Sequence, residues 1–275
     1  MTGSIIGDIA GSIYEFHNIK TKDFQLFTDR QSFTDDSVLT VAAAQWILDG
    51  CKDPAPYYAD FASRYTDVMG DYGPGFKNWL VRAVRQGIYA PYNSCGNGSA
   101  MRVAPVGWAF DTEEEVMEKA EASAECTHNH PGGIAGAQAT ALCIFWGRQG
   151  KGKEFIRREI EKRFGYDLDM TVARLQECYS WDGMPGGKWS GGTCQGSVPQ
   201  SIVCALEAVD FEDAVRNAIS IGGDSDTVGC IAGSIAEALY GIPAAMHDKG
   251  LAYLPADLRR VVDDFEHRYG PAMPK

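Results

Sequence analysis

Gly222-Gly223-Asp224-Ser225-Asp226-Thr227 closes one helix-like run and opens another, placing two carboxylates among hydroxyls at a helix start. Near the other end of the chain, Thr34-Asp35-Asp36-Ser37 opens an equally apolar run, Val38-Leu39-Thr40-Val41-Ala42-Ala43-Ala44-Gln45-Trp46-Ile47-Leu48. Thr, Ser and Asp are favoured N-caps, and acids in a first turn complement the helix dipole, so one such cluster by itself reads as a cap. Each cluster here carries one more carboxylate than a cap needs. The small apolar residues that follow mark buried helices, where an acid without a partner is costly. Thr34, Asp35, Asp36, Asp224, Asp226 and Thr227 offer only hard oxygen donors, which suit Mg²⁺, Mn²⁺ or Ca²⁺ rather than zinc. If the two helix starts face each other, they form a two-metal site.

The remainder of the chain supports an all-α reading. Sustained apolar and polar alternation is missing, as are a βαβ rhythm and a repeat of fixed period. At 275 residues, 45% of them hydrophobic and 11% aromatic, the chain can build a sizeable core, and we expect a single compact multi-helix domain over 1–275 with a central metal cleft. A net charge of −12 with no basic block argues against a nucleic-acid or anionic-membrane surface. The apolar runs are too short to span a bilayer and Met1-Thr2-Gly3-Ser4 lacks the pattern of a signal peptide, so the expectation is a soluble, cytoplasmic protein and a monomer. The eight cysteines contain no C-x-x-C pair and are read as reduced, mostly buried thiols.

Taken in order, Ile6, Ile9, Ile13 and Phe16 recur at helical spacing through a glycine-containing segment. Gly7 and Gly11 lower helix propensity but permit close approach, and the same spacing at Gly229 and Gly233 predicts that these two helices touch. Glu15 falls near the end of the first helix, beside a polar loop leading to Thr34, and so near the metal site. Tyr92 to Arg102 forms a Gly- and Asn-rich turn of the kind that offers N–H groups to an anion, though most such stretches are only turns. Thr112 to Glu115 fits a capping box. His128, in the loop before a helix over 134–146, can hydrogen-bond a ligand. Residues 151–180 read as surface helices, and Trp181 to Gln200 is too rich in glycine for regular structure. Helices are expected at 201–209, 211–220 and around Leu258 to Tyr269.

Gly7-Asp8-Ile9-Ala10-Gly11 with Glu15, Phe33-Thr34-Asp35-Asp36, Gly96-Asn97-Gly98-Ser99-Ala100-Met101-Arg102, Thr127-His128-Asn129-His130-Pro131, Gly196-Ser197-Val198-Pro199 and Gly222 to Thr227 stand in the order found in the ADP-ribosylglycohydrolase family, which the whole chain resembles. The resemblance implies an all-α domain that binds two Mg²⁺ (or Mn²⁺) ions and ADP-ribose, and that hydrolyses ADP-ribosylated substrates. It puts Thr34, Asp35, Asp36, Asp224, Asp226 and Thr227 on the metals. It also makes Glu15 a catalytic or gating acid, and Gly96, Asn97, Gly98, Ser99 and Met101 part of the diphosphate loop, with His128 lining the ribose and phosphate region. Glu15 and Asp36 are the expected proton-handling residues. A modified nucleic acid enters this picture only as a substrate. The alternative from another class is a non-catalytic ADP-ribose binder on the same fold.

Overall fold

The helical spacing at the two ends of the chain resolves into two interior helices. Thr2–Gly11 is buried along its whole length and Ser225–Tyr240 from Ser225 to Glu237. They cross with backbones in contact: a Cβ on Gly229 would lie 2.5 Å from the Gly7 carbonyl oxygen, and one on Gly7 would drive into the Gly229 carbonyl. Hydrogen at Cα is therefore the only substituent these positions admit. Gly3 and Gly233 repeat the contact one turn along, so the expected touching of the two helices is met.

Around this pair the computed structural model, which describes residues 1–270, arranges fifteen α-helices in all. Phe211–Ser220, Cys194–Glu207 and Pro131–Arg148 pack against Ser225–Tyr240, while Asp35–Leu48 packs against Thr2–Gly11. Outside these lie amphipathic helices whose buried faces are narrow: Ala256–Tyr269 buries Leu258, Val261, Val262 and Phe265, and Lys153–Phe164 only Ile156 and Ile160. Among the described residues the extended contacts are isolated bridges, Thr34 with Met69, Gly96 with Thr193 and Ser180 with Gly183, so the fold is all-α. No helix there is long and apolar enough to cross a membrane. The Thr112 hydroxyl accepts from the Glu115 amide at 3.2 Å, which is the N-cap half of the expected box, but the Glu115 carboxylate takes the Thr112 hydroxyl at 2.9 Å in place of its amide.

Three expectations change. The first helix ends at Gly11, so Glu15 lies in the turn beyond it; Gly11 rests on the Ser225 and Asp226 backbone, and the chain must swing away there. The irregular stretch after Trp181 stops at Thr193: Cys194–Glu207 is helical through Pro199, because burial of Cys194 and of residues 196–200 outweighs the poor propensity of Gly and Pro. All eight cysteines are free, but only Cys143, Cys194, Cys204 and Cys230 are fully buried.

Candidate active site

The two acidic helix starts meet. Thr34 caps Asp35–Leu48 in an extended conformation, and its hydroxyl accepts from the Asp36 amide at 3.1 Å. Asp8, reaching across from the first helix, anchors the same turn by accepting from the amides of Thr34 and Ser37, each at 3.1 Å, and from the Ser37 hydroxyl. The opposing start follows Gly222 and Gly223, whose φ values of +72° and +76° demand glycine. Asn18 braces that turn, accepting from the Gly223 amide and donating to its carbonyl, both at 2.8 Å, and Lys20 donates to the Ile221 carbonyl. Thr227 Oγ1 then donates to Asp36 Oδ1 at 3.4 Å across the junction, and Asn97 Nδ2 donates to Asp224 Oδ2 at 2.8 Å.

Asp35, Asp36, Asp224, Asp226, Thr227 and Glu15 all face one cavity of about 460 Å³. Oxygens of Glu15, Asp224 and Asp226 lie within 4.8 Å of one another; Asp35 and Asp36 line the same cavity outside that trio. None of these acids, nor Asp8, forms an ion pair among the described residues. Asp8 Oδ1, Glu15 Oε2, Asp36 Oδ2 and Asp226 Oδ1 are buried and accept no hydrogen bond. Burying anionic oxygens without a donor is costly, so the cluster must take up protons or cations. An all-carboxylate donor set with free oxygens fits hard divalent cations.

Protonation of the cation-free cluster follows. Burial, with Asp226 and Asp8 adding repulsion, pushes Glu15 up to about 8. Burial likewise takes Asp8 to about 6 despite its donors, and Asp224 to about 6. Asp35, Asp36 and Asp226 go up as well, again through burial first and neighbouring carboxylates second. Carboxyls whose folded pKa is raised add stability below their unfolded pKa and lose it as pH rises through the folded value. The protein in EDTA should therefore melt several degrees lower at pH 8.5 than at pH 5.5. Excess Mg²⁺ or Mn²⁺ should give a gain that grows with pH, because binding displaces protons. Equal melting temperatures at the two pH values in EDTA would contradict the buried-acid picture.

The turn before Gly98–Met101 also lines the cavity, and its Asn97 side chain reaches the acids at Asp224. The Gly96 amide donates to Ser94 Oγ at 3.0 Å and the Asn97 amide to the Gly192 carbonyl at 3.1 Å, so neither is free for a ligand. The Gly98 and Ser99 amides have no partner among the described residues. The Ser99 hydroxyl is spent on the Gly133 carbonyl at 2.7 Å, and neither Ser99 nor Thr34 lines the cavity. Gly96, Asn97, Gly98, Met101 and His128 do. Aromatic walls come from Tyr92, Phe76 and a rim pair, Phe16 stacked on Trp181 with centroids 6.1 Å apart; Trp181 Nε1 donates to the Glu15 carbonyl at 2.8 Å.

Comparison with known proteins gives the family. The family model described as ADP-ribosylglycohydrolase matches residues 1–273. The chain belongs to the ADP-ribosylglycohydrolase family. It is 28% identical over 312 aligned positions to ADP-ribosylhydrolase ARH3 of Mus musculus, covering 88% of this chain and 83% of that protein. It is 26% identical over 295 positions to the ADP-ribosyl-dinitrogen reductase glycohydrolase of Rhodospirillum rubrum, covering 95% and 92%. A solved chain titled ADP-ribosylglycohydrolase-related protein complex shares the fold with a TM-score of 0.71 at 23% identity, over 97% of this chain and 95% of that one. The chain is thus an enzyme of a hydrolase family.

Four contributors escaped the sequence reading. Asp8 carried a usable signal, being the one charged residue inside an otherwise apolar helical segment. Asn18 and Lys20 sit in a loop with no pattern, and Arg102 belongs by sequence to a turn. Their roles follow from which distant backbone they reach.

Proposed function

We propose that the chain hydrolyses the bond between the anomeric carbon of ADP-ribose and an acceptor atom, with two Mg²⁺ or Mn²⁺ ions as cofactors. The observation that carries this reading is one cavity lined both by carboxylates with unpartnered oxygens and by an anion-receptive turn with His128. Asp35, Asp36, Asp224, Asp226 and Thr227 would hold cations that neutralise the buried carboxylates and supply Lewis-acid polarisation of sugar hydroxyls and water.

The chain's own groups do the rest. The Gly98 amide and His128 bind the diphosphate, while the aromatic walls exclude water from the nucleoside. Cleavage breaks the bond from the anomeric carbon to the acceptor and forms one to a water oxygen, through an oxocarbenium-like transition state. Asp36 Oδ2 takes a proton from the attacking water. Glu15, which burial pushes up to about 8, delivers a proton to the leaving acceptor. Free acceptor and ADP-ribose result.

A panel of ADP-ribose conjugates differing only in linkage, through Arg, Ser, Thr, a nucleobase or O-acetyl, tests the reading. At least one should release intact ADP-ribose in a divalent-dependent manner. Release of AMP or phosphate would assign the site to phosphoester chemistry, and tight ADP-ribose binding with no turnover across the panel would mark a binding protein.

A further inference from the structure

Arg102 is fully buried yet has no carboxylate partner. Its guanidinium lies over the Tyr58 ring at 3.9 Å, and its Nη2 donates to the Ser123 carbonyl at 2.6 Å and to Thr127 Oγ1 at 2.8 Å. Arg102 lines the cavity, and its Nε and Nη1 are buried without partners. Through Nη2 it also reaches the cavity by way of a neighbour, Thr127.

A guanidinium only donates, so Thr127 Oγ1 accepts from it and keeps one hydrogen to give. Two acceptors are near. The Ala124 carbonyl is 3.5 Å away and already takes the Thr127 amide at 3.1 Å and the His128 amide at 2.7 Å, which fills both its lone pairs. His128 Nδ1 is 2.8 Å away. The hydroxyl hydrogen therefore belongs to Nδ1. We propose that Arg102 and Thr127 form a relay that locks His128 as the neutral tautomer protonated on Nε2, so that this ring N–H stands as a directed donor beside Gly98. Nε2 lies 3.1 Å from where a Gly98 Cβ would be and 3.6 Å from that of Gly96, and it has no partner among the described residues. Burial and the Arg102 charge both disfavour a charged ring.

The inference rests on reading the cavity as an ADP-ribose site, but its first readout needs no ligand. Long-range ¹⁵N–¹H spectra of the full chain labelled on its five histidines report each ring's tautomer. Wild type should show His128 as the Nε2–H form from pH 6 to 8, Thr127→Val should lose that preference, and Thr127→Ser should restore it. In an ADP-ribose titration Thr127→Val should weaken binding about tenfold, the loss of an aligned donor to a charged acceptor, with Thr127→Ser near wild type. In turnover the penalty should fall on KM rather than kcat. His128 found as the Nδ1–H tautomer or as imidazolium in wild type overturns the relay, as does an unchanged tautomer in a folded Thr127→Val variant. Should that variant not fold, the wild-type and Thr127→Ser spectra decide alone. A wild-type Nε2–H ring with no ADP-ribose binding would uphold the relay and sink the substrate assignment.

Discussion

Asp226→Asn should lower turnover of a cleavable ADP-ribose conjugate by about 10³-fold, a barrier increase of ~4 kcal/mol, while raising the melting temperature of the protein in EDTA. The two effects share one cause. Asp226 lies within 4.8 Å of Glu15 and Asp224, and its Oδ1 is buried with no donor. Removing that charge relieves repulsion in the cation-free fold and removes a ligand that the bound cations need. Chelation of the wild type should abolish turnover in the same way, with recovery on adding Mg²⁺ or Mn²⁺. Full activity in EDTA, or a variant that keeps a tenth of wild-type turnover, would remove the metal from the mechanism. A variant that melts lower in EDTA would mean that Asp226 is structurally satisfied. Stability and activity are opposed at this residue because the acids were assembled for a cation and not for each other.

The second large effect lies away from the chemistry. Gly229→Val should cost more than ~3 kcal/mol, since two branched carbons must enter a space where even a Cβ would stand 2.5 Å from a backbone oxygen. For a chain of this size that corresponds to roughly 10 °C in melting temperature, or to loss of soluble folded protein. The helix that must shift is the one that carries Asp226 at its start, so any folded remainder should also bind Mn²⁺ more weakly than wild type. A melting temperature within about 2 °C of wild type would show that the two helices are free to separate, contrary to their backbone contact.

Much of this was legible before any coordinates. Helix periods, the Thr112 cap and the matched glycines at 7 and 229 depend on local geometry or on a spacing that only close helix contact explains, so they survive folding unchanged. The two acidic helix starts were equally plain, because Asp35 and Asp36 beside Val38 to Leu48 violate the burial rule for charges unless something compensates them. Cys194 to Gln200 was misread for the opposite reason: its local propensities oppose a helix, and only the mass of core packed on it makes the helix favourable. The helical period runs on to Glu15 and Phe16, because nothing in their own neighbourhood reveals that Gly11 runs into the backbone of Ser225 and Asp226 and that the helix ends there.

The sequence alone determined an all-helical chain with two oxygen clusters at helix starts, since periodicity and capping are encoded within a few residues of each position. Tertiary structure alone decided that the two starts share a cavity and that Asp8, Asn18 and Lys20 aim them. It also decided that the Asn97 side chain serves Asp224 and that Thr127 must give its hydrogen to His128. All but the last are pairings between groups far apart along the chain, and the last is directed by Arg102, which reaches Thr127 from another element. Which distant donor fills a given lone pair is settled only when the backbones that carry them have closed to hydrogen-bond distance.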